Sequence, residues 1–176
     1  QLRDDSDSDI LAAVSTTSAD LRFLDVDMWA ENLVELSNHE LPVVRRNLVP
    51  SLREYFETFP DDTRKLLPVM WQDGDEVVRT RMRELLIKMS DISSTQFGAR
   101  ITDLNQHGCD LSALWRLMGA RRKGSSEAWK SWLSGEGEMP ETIETMRHVS
   151  TMQAPEELPD LSEALETLDE ELGFLD

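Results

Sequence analysis

A stretch of this chain returns 34 residues further on. Val43, Val44 and Arg45 come back as Val77, Val78 and Arg79, and Leu48, Leu52 and Tyr55 as Met82, Leu86 and Met89. Upstream, Leu33 and Leu36 come back as Leu67 and Met70. Most of the echoed positions are apolar and fall three or four residues apart, the spacing at which side chains share one face of an α-helix. A repeat of this length holds two helices and a turn, and a single such hairpin cannot bury its apolar face alone. The echo predicts an all-α chain of stacked helical hairpins rather than one enzyme-like fold.

The apolar periodicity places helices over 27–37, 43–56, 63–72, 75–89, 95–106, 110–119 and 125–134. In the first, Met28, Trp29, Leu33 and Leu36 share a face. In the second, Val44, Leu48 and Leu52 do so, with Pro42 suited to a first turn and Pro50 expected to kink the helix. Asp61 or Asp62 is expected to cap the third, and Asp73-Gly74 makes the turn before the fourth. Residues 95–119 read as a third, degraded pair, because Leu67, Met70 and Val77 map at the same offset to Ile101, Leu104 and Leu111. The last helix carries Trp129, Trp132 and Leu133 and is placed to close the stack. Residues 9–24 suggest a short helix or a strand-like lead-in.

The second unit, with Pro68 inside a leucine-rich helix, Asp73 in the turn and Asp75, Val78 and Arg79 opening the next helix, resembles a HEAT repeat. The first unit keeps Val44-Arg45 and Pro42 but shows no aspartate in its turn, and the third has Ser112-Ala113 in place of Val-Arg. The resemblance covers about residues 27–90 closely and 91–134 loosely. It implies a short right-handed α-solenoid whose second helices line a concave binding face. It also implies that Arg45 and Arg79 pair with the turn aspartate of a neighbouring repeat.

The formal net charge of −17 is concentrated at the two ends. Residues 1–27 carry −5, residues 28–135 are neutral, and residues 136–176 carry −12. A salt-adapted acidic shell would cover the middle as well, so the neutral middle argues against that source despite 14 Arg against 4 Lys. The lone Cys109 provides no intrachain disulfide and suits a reducing, intracellular compartment, cytoplasmic or nuclear. No apolar run reaches membrane-spanning length. The start at Gln1 suggests a fragment or a processed product.

The organisation expected is an acidic lead-in over 1–26, partly disordered, a helical repeat domain over 27–134, a linker over 135–157 and an acidic leucine helix over 158–176. In that last segment Leu158, Leu161, Leu165, Leu168, Leu172 and Leu175 are spaced alternately by three and four, an a/d stripe. Asp160 and Glu163 form a capping box after Pro159. The other face is almost wholly Glu and Asp, so the helix needs an apolar groove with a basic rim, either on a partner or along its own chain. Packing as the last helix of the stack and an unstructured acidic tail are the alternatives.

The expected function is that of a non-catalytic scaffold or adaptor that binds other proteins, without cofactor or metal. The arginines of the second helices are the candidate contacts: Arg46, Arg53, Arg81 and Arg83, joined by the cluster Arg121, Arg122 and Lys123. That cluster equally reads as a solvated helix C-terminus favoured by the helix dipole. Trp129 and Trp132 read as core residues that are also candidate interface anchors. The alternative function is a nucleic-acid-associated helical protein gripping phosphates with the same cations. His107 and Cys109 have metal-capable side chains, but no second ligand pair follows, and a turn accounts for them better.

Overall fold

The computed structural model describes Ala13, Ser15 and residues 18–142. The expected leucine helix over 158–176, the rest of the linker from residue 143 and most of the acidic lead-in lie outside the described residues. Among those described, every regular element is a helix. A 3-10 segment, Ser18–Phe23, precedes α1 (Val26–Ser37), α2 (Pro42–Thr58), α3 (Pro60–Trp71), α4 (Glu76–Ile92), α5 (Ser94–Gln106), α6 (Ser112–Arg121) and α7 (Ser125–Leu133). None is long and apolar enough to cross a membrane.

The helix starts follow from local chemistry. Asp25 accepts from the Met28 amide at 2.9 Å and opens α1. Asp75 accepts from the Val77 and Val78 amides, each at 3.1 Å, and opens α4. Ser93 accepts from the Gln96 amide at 3.2 Å, ending α4 and opening α5 as one residue. Each side chain satisfies backbone donors that have no partner inside the helix. The cap expected at Asp61 or Asp62 is absent. Pro60 starts α3 three residues before the expected position 63, with Phe59 at the cap position, so both aspartates sit in the first turn. There they favour the positive end of the helix dipole without bonding the amides.

Consecutive helices pack on one another from α1 to α5, as do α6 and α7. Alternate helices also meet: α1 with α3, α3 with α5 and α5 with α7 in one row, α2 with α4 and α4 with α6 in the other. The buried apolar side chains of these helices form one core cluster. The echoed residues fill it: Leu33 with Leu67, Leu36 with Met70, Val44 with Val78, Leu48 with Met82, Leu52 with Leu86, and Tyr55 with Met89 are all buried. Ile101 and Leu104 continue the series in α5. The echo is lost in α6, whose buried Leu114 and Met118 fall 34 positions after half-buried Thr80 and exposed Glu84. Aromatic clusters hold the two ends. Trp29, Tyr55 and Phe59 interlock at one end, with ring centroids 5.3–6.2 Å apart. Phe97, Trp129 and Trp132 do so at the other. Each buried large apolar side chain stabilises the fold by about 1.5–3 kcal/mol.

Candidate functional site

Two adjacent arginines on α2 reach into the next turn. Arg45 makes a two-pronged pair with Asp73, Nε to Oδ2 at 2.7 Å and Nη2 to Oδ1 at 2.9 Å. The pair is well shielded, with 14% and 6% of the two side chains exposed. A third guanidinium nitrogen donates to the backbone carbonyls of His39 and Glu40, so Arg45 ties its own turn to the following one. The expected pairing of Arg45 with a neighbouring turn aspartate is present. That of Arg79 is not. The position 34 residues after Asp73 is His107, which offers no carboxylate, and Arg79 instead bonds Glu76 and the Asp73 carbonyl on its own hairpin.

Arg46 grips Asp75 from the same helix, Nε to Oδ1 at 2.8 Å, while that carboxylate also caps α4. The Arg46 hydrogen bond, assisted by the capping amides, holds the Asp75 carboxyl far below the usual carboxylate range. Burial works to raise Asp73, but Arg45 and the Asp75 amide outweigh it and hold it low as well. Such charge-assisted, two-pronged contacts fix orientation as well as adding stability.

The remaining candidate cations on α2 and α4 also have partners within the chain. Arg53 bonds Glu57 at 3.2 Å. Arg83 bonds Glu76 at 3.1 Å, and Glu76 is held low by Arg79 first and Arg83 second. Arg81 donates to the Arg46 carbonyl at 2.7 Å. That carbonyl is the one an amide at position 50 would take in an unbroken helix. Pro50 has no N–H, so α2 runs through the proline with an open acceptor that α4 supplies with a donor. Of these three, only Arg81 joins one hairpin to another, whereas Arg53 and Arg83 bond carboxylates of their own helices, and each contact leaves less of the guanidinium for a phosphate or a partner.

Arg121, Arg122 and Lys123 are exposed where α6 ends, as a solvated C-terminus would place them. Trp129 is 4% exposed, 4.6 Å from Phe97 and 5.5 Å from Trp132. It is a core residue. Trp132 is half-buried against it, across a close approach of α5 and α7 at Gly98. Leu161, Leu165, Leu168, Leu172 and Leu175 lie outside the described residues. His107 turns back on the Asp103 carbonyl, and Cys109 accepts from Gln72 at 3.1 Å, so these two side chains serve separate local contacts. No group of three or more metal-capable side chains occurs among the described residues.

The first-helix row carries a feature that the periodicity did not single out. Between α1 and α3 lies an open groove of about 610 Å³, lined by Ala30, Val34, Leu66 and Val69, with Tyr55 reaching in from α2. Val34 is 41% exposed and Val69 51%. Glu31, Glu35 and Asp62 line the same groove with Lys65. The available signal was an apolar residue standing off the core stripe: Val34 lies one position past Leu33, and Val69 one before Met70.

The chain matches no protein-family model, no curated protein and no solved structure.

Proposed function

We propose that this chain is a non-catalytic protein–protein interaction module, a scaffold or adaptor built as a short right-handed solenoid of HEAT-like hairpins. The observation that carries the reading is the packing of alternate helices in two rows, with successive turns tied by Arg45–Asp73 and Arg46–Asp75. Hairpins repeated in this way leave extended faces on both rows, which is how stacked repeats meet other macromolecules. The acidic leucine stripe from Leu158 to Leu175 is assigned to the same role, as a helix that docks in an apolar groove with basic rims.

Phosphate recognition is the weaker reading. Arg46, Arg53 and Arg83 each bond a carboxylate of the chain, and the two ends carry −5 and −12, which would repel a nucleic acid.

The test is affinity capture from the native source with the full chain and with a chain lacking residues 136–176, followed by identification of what is retained. A protein retained in stoichiometric amount and lost on truncation assigns binding to the acidic segment. One retained by both assigns it to the helical stack. Retention of nothing by either overturns the reading, and retention of nucleic acid alone exchanges it for the alternative.

A further inference from the structure

We propose that the groove between α1 and α3 is a docking site for a basic amphipathic helix of a partner protein. The inference rests on the interaction-module reading and names the surface and the chemistry of its ligand. The groove has a suitable size, since sites that take side chains or small ligands span about 300–1,000 Å³. Its lining is mostly apolar, and Val34 and Val69 stand open to solvent at 41% and 51%. Val34 and Val69 line the same concavity beside the buried Tyr55 and Leu66, so an occupant would take both valines out of water together. An incoming helix fills such a trough with side chains at i, i+3, i+4 and i+7.

The charge at the groove selects the occupant. Glu31, Glu35 and Asp62 stand against one cation, Lys65. Lysines or arginines flanking the apolar anchors would meet these carboxylates, and complementary charge sets both the encounter rate and the choice of partner. The same charges disfavour the chain's own ends. The leucine stripe over 158–175 has the anchors, but its other face is acidic, and seating it here would bring carboxylates against carboxylates. The groove and the leucine stripe are both acidic, so each calls for a basic counterpart and neither suits the other.

The probe is a fluorescent 18-residue peptide with leucines at helical spacing and lysines elsewhere, compared with its glutamate counterpart by anisotropy on the full chain at physiological salt. Saturable binding of the lysine peptide is expected, with the glutamate peptide and the charge-neutral Val69→Gln chain each weaker by about tenfold or more. Val69→Gln lies on an exposed face, and its unfolding midpoint verifies that the fold is kept. Photo-reactive benzoylphenylalanine at position 69 is expected to cross-link to the lysine peptide. Unchanged affinity of Val69→Gln overturns the proposal, because the acidic ends alone then attract the peptide. A cross-link to the chain's own terminal segments, or to a second copy, overturns it in favour of those occupants. In each of these cases the broader reading stands or falls separately, on whether the affinity capture retains a protein.

Discussion

Arg81 donates at 2.7 Å to the backbone carbonyl of Arg46, the acceptor that Pro50 leaves open in α2. The contact joins two hairpins through a defect in one helix. Removing the donor by Arg81→Met is expected to cost roughly 0.5–1.5 kcal/mol, the net worth of one such hydrogen bond. In a Pro50→Ala background the restored amide competes for the same carbonyl, so the cost of Arg81→Met should shrink. A double-mutant cycle by urea unfolding measures the coupling, and strictly additive effects would refute the link.

The Arg45–Asp73 and Arg46–Asp75 pairs make stability depend on acidity. Both carboxyls are held below their ordinary values in the folded chain. Their contribution is complete above the ordinary carboxylate pKa of about 4 and is lost as pH falls through the lower folded-state values. A chain carrying Asp73→Asn and Asp75→Asn should therefore lose less stability than the wild type between neutral pH and about pH 2. Asparagine at position 75 keeps the helix cap, so the comparison isolates the charge. Urea midpoints measured across that range decide it, and parallel curves for the two chains would remove the pairs from the account.

Asp73→Ala at neutral pH probes the same tie differently. It leaves Arg45, with 14% of its side chain exposed, facing a site without its counter-charge. Breaking one side of a shielded pair is expected to cost about 3 kcal/mol. Arg45→Met with Asp73→Leu should recover part of that loss, since an apolar pair of similar volume replaces a desolvated ionic one. Thermal unfolding of the single and double variants reads both numbers.

The helices were legible in this chain because their core stripes recur with little interruption. Leu33, Leu67 and Ile101 mark one position three times over, and each is buried. What periodicity reads poorly is anything decided by a neighbour. Arg46 was expected to face a partner, because a sequence does not reveal that Asp75, 29 residues on, lies beside it, whereas Glu76 stands two turns before Arg83 on α4 and was within reach of helical spacing. The missing partner of Arg79 was partly visible, since position 107 is histidine. The start of α3 was misplaced by three residues because Pro60 is as good a first-turn residue as the aspartates behind it. The groove escaped notice for a different reason. Val34 and Val69 are off-stripe valines, and only the gap between α1 and α3 turns them into one surface.

Trp129 separates a core role from an interface role. It is enclosed by Phe97 and Trp132, and its truncation to alanine is expected to cost about 3–5 kcal/mol. Trp132→Ala should cost less, because that side chain is only half-buried. Denaturant unfolding followed by circular dichroism compares the two. A Trp129→Ala chain as stable as the wild type would mean that the residue is available for binding in solution.

Gly98 sets how closely α5 and α7 approach. A β-carbon built there would lie 2.9 Å from Cη2 of Trp132 and 3.3 Å from Cε of Met139. Methionine yields readily, but the Trp132 ring is rigid and rests edge-on against Trp129. In an unobstructed helix, glycine to alanine stabilises by about 1 kcal/mol. Here the clash should outweigh that gain, and Gly98→Ala is expected to destabilise the chain by about 1–2 kcal/mol. Trp132→Leu removes the obstructing ring edge. In that background the sign should reverse, with Gly98→Ala recovering most of its intrinsic helical gain. Urea unfolding of the four chains measures both effects, and a stabilising Gly98→Ala in the presence of Trp132 would show that the two helices are free to move apart.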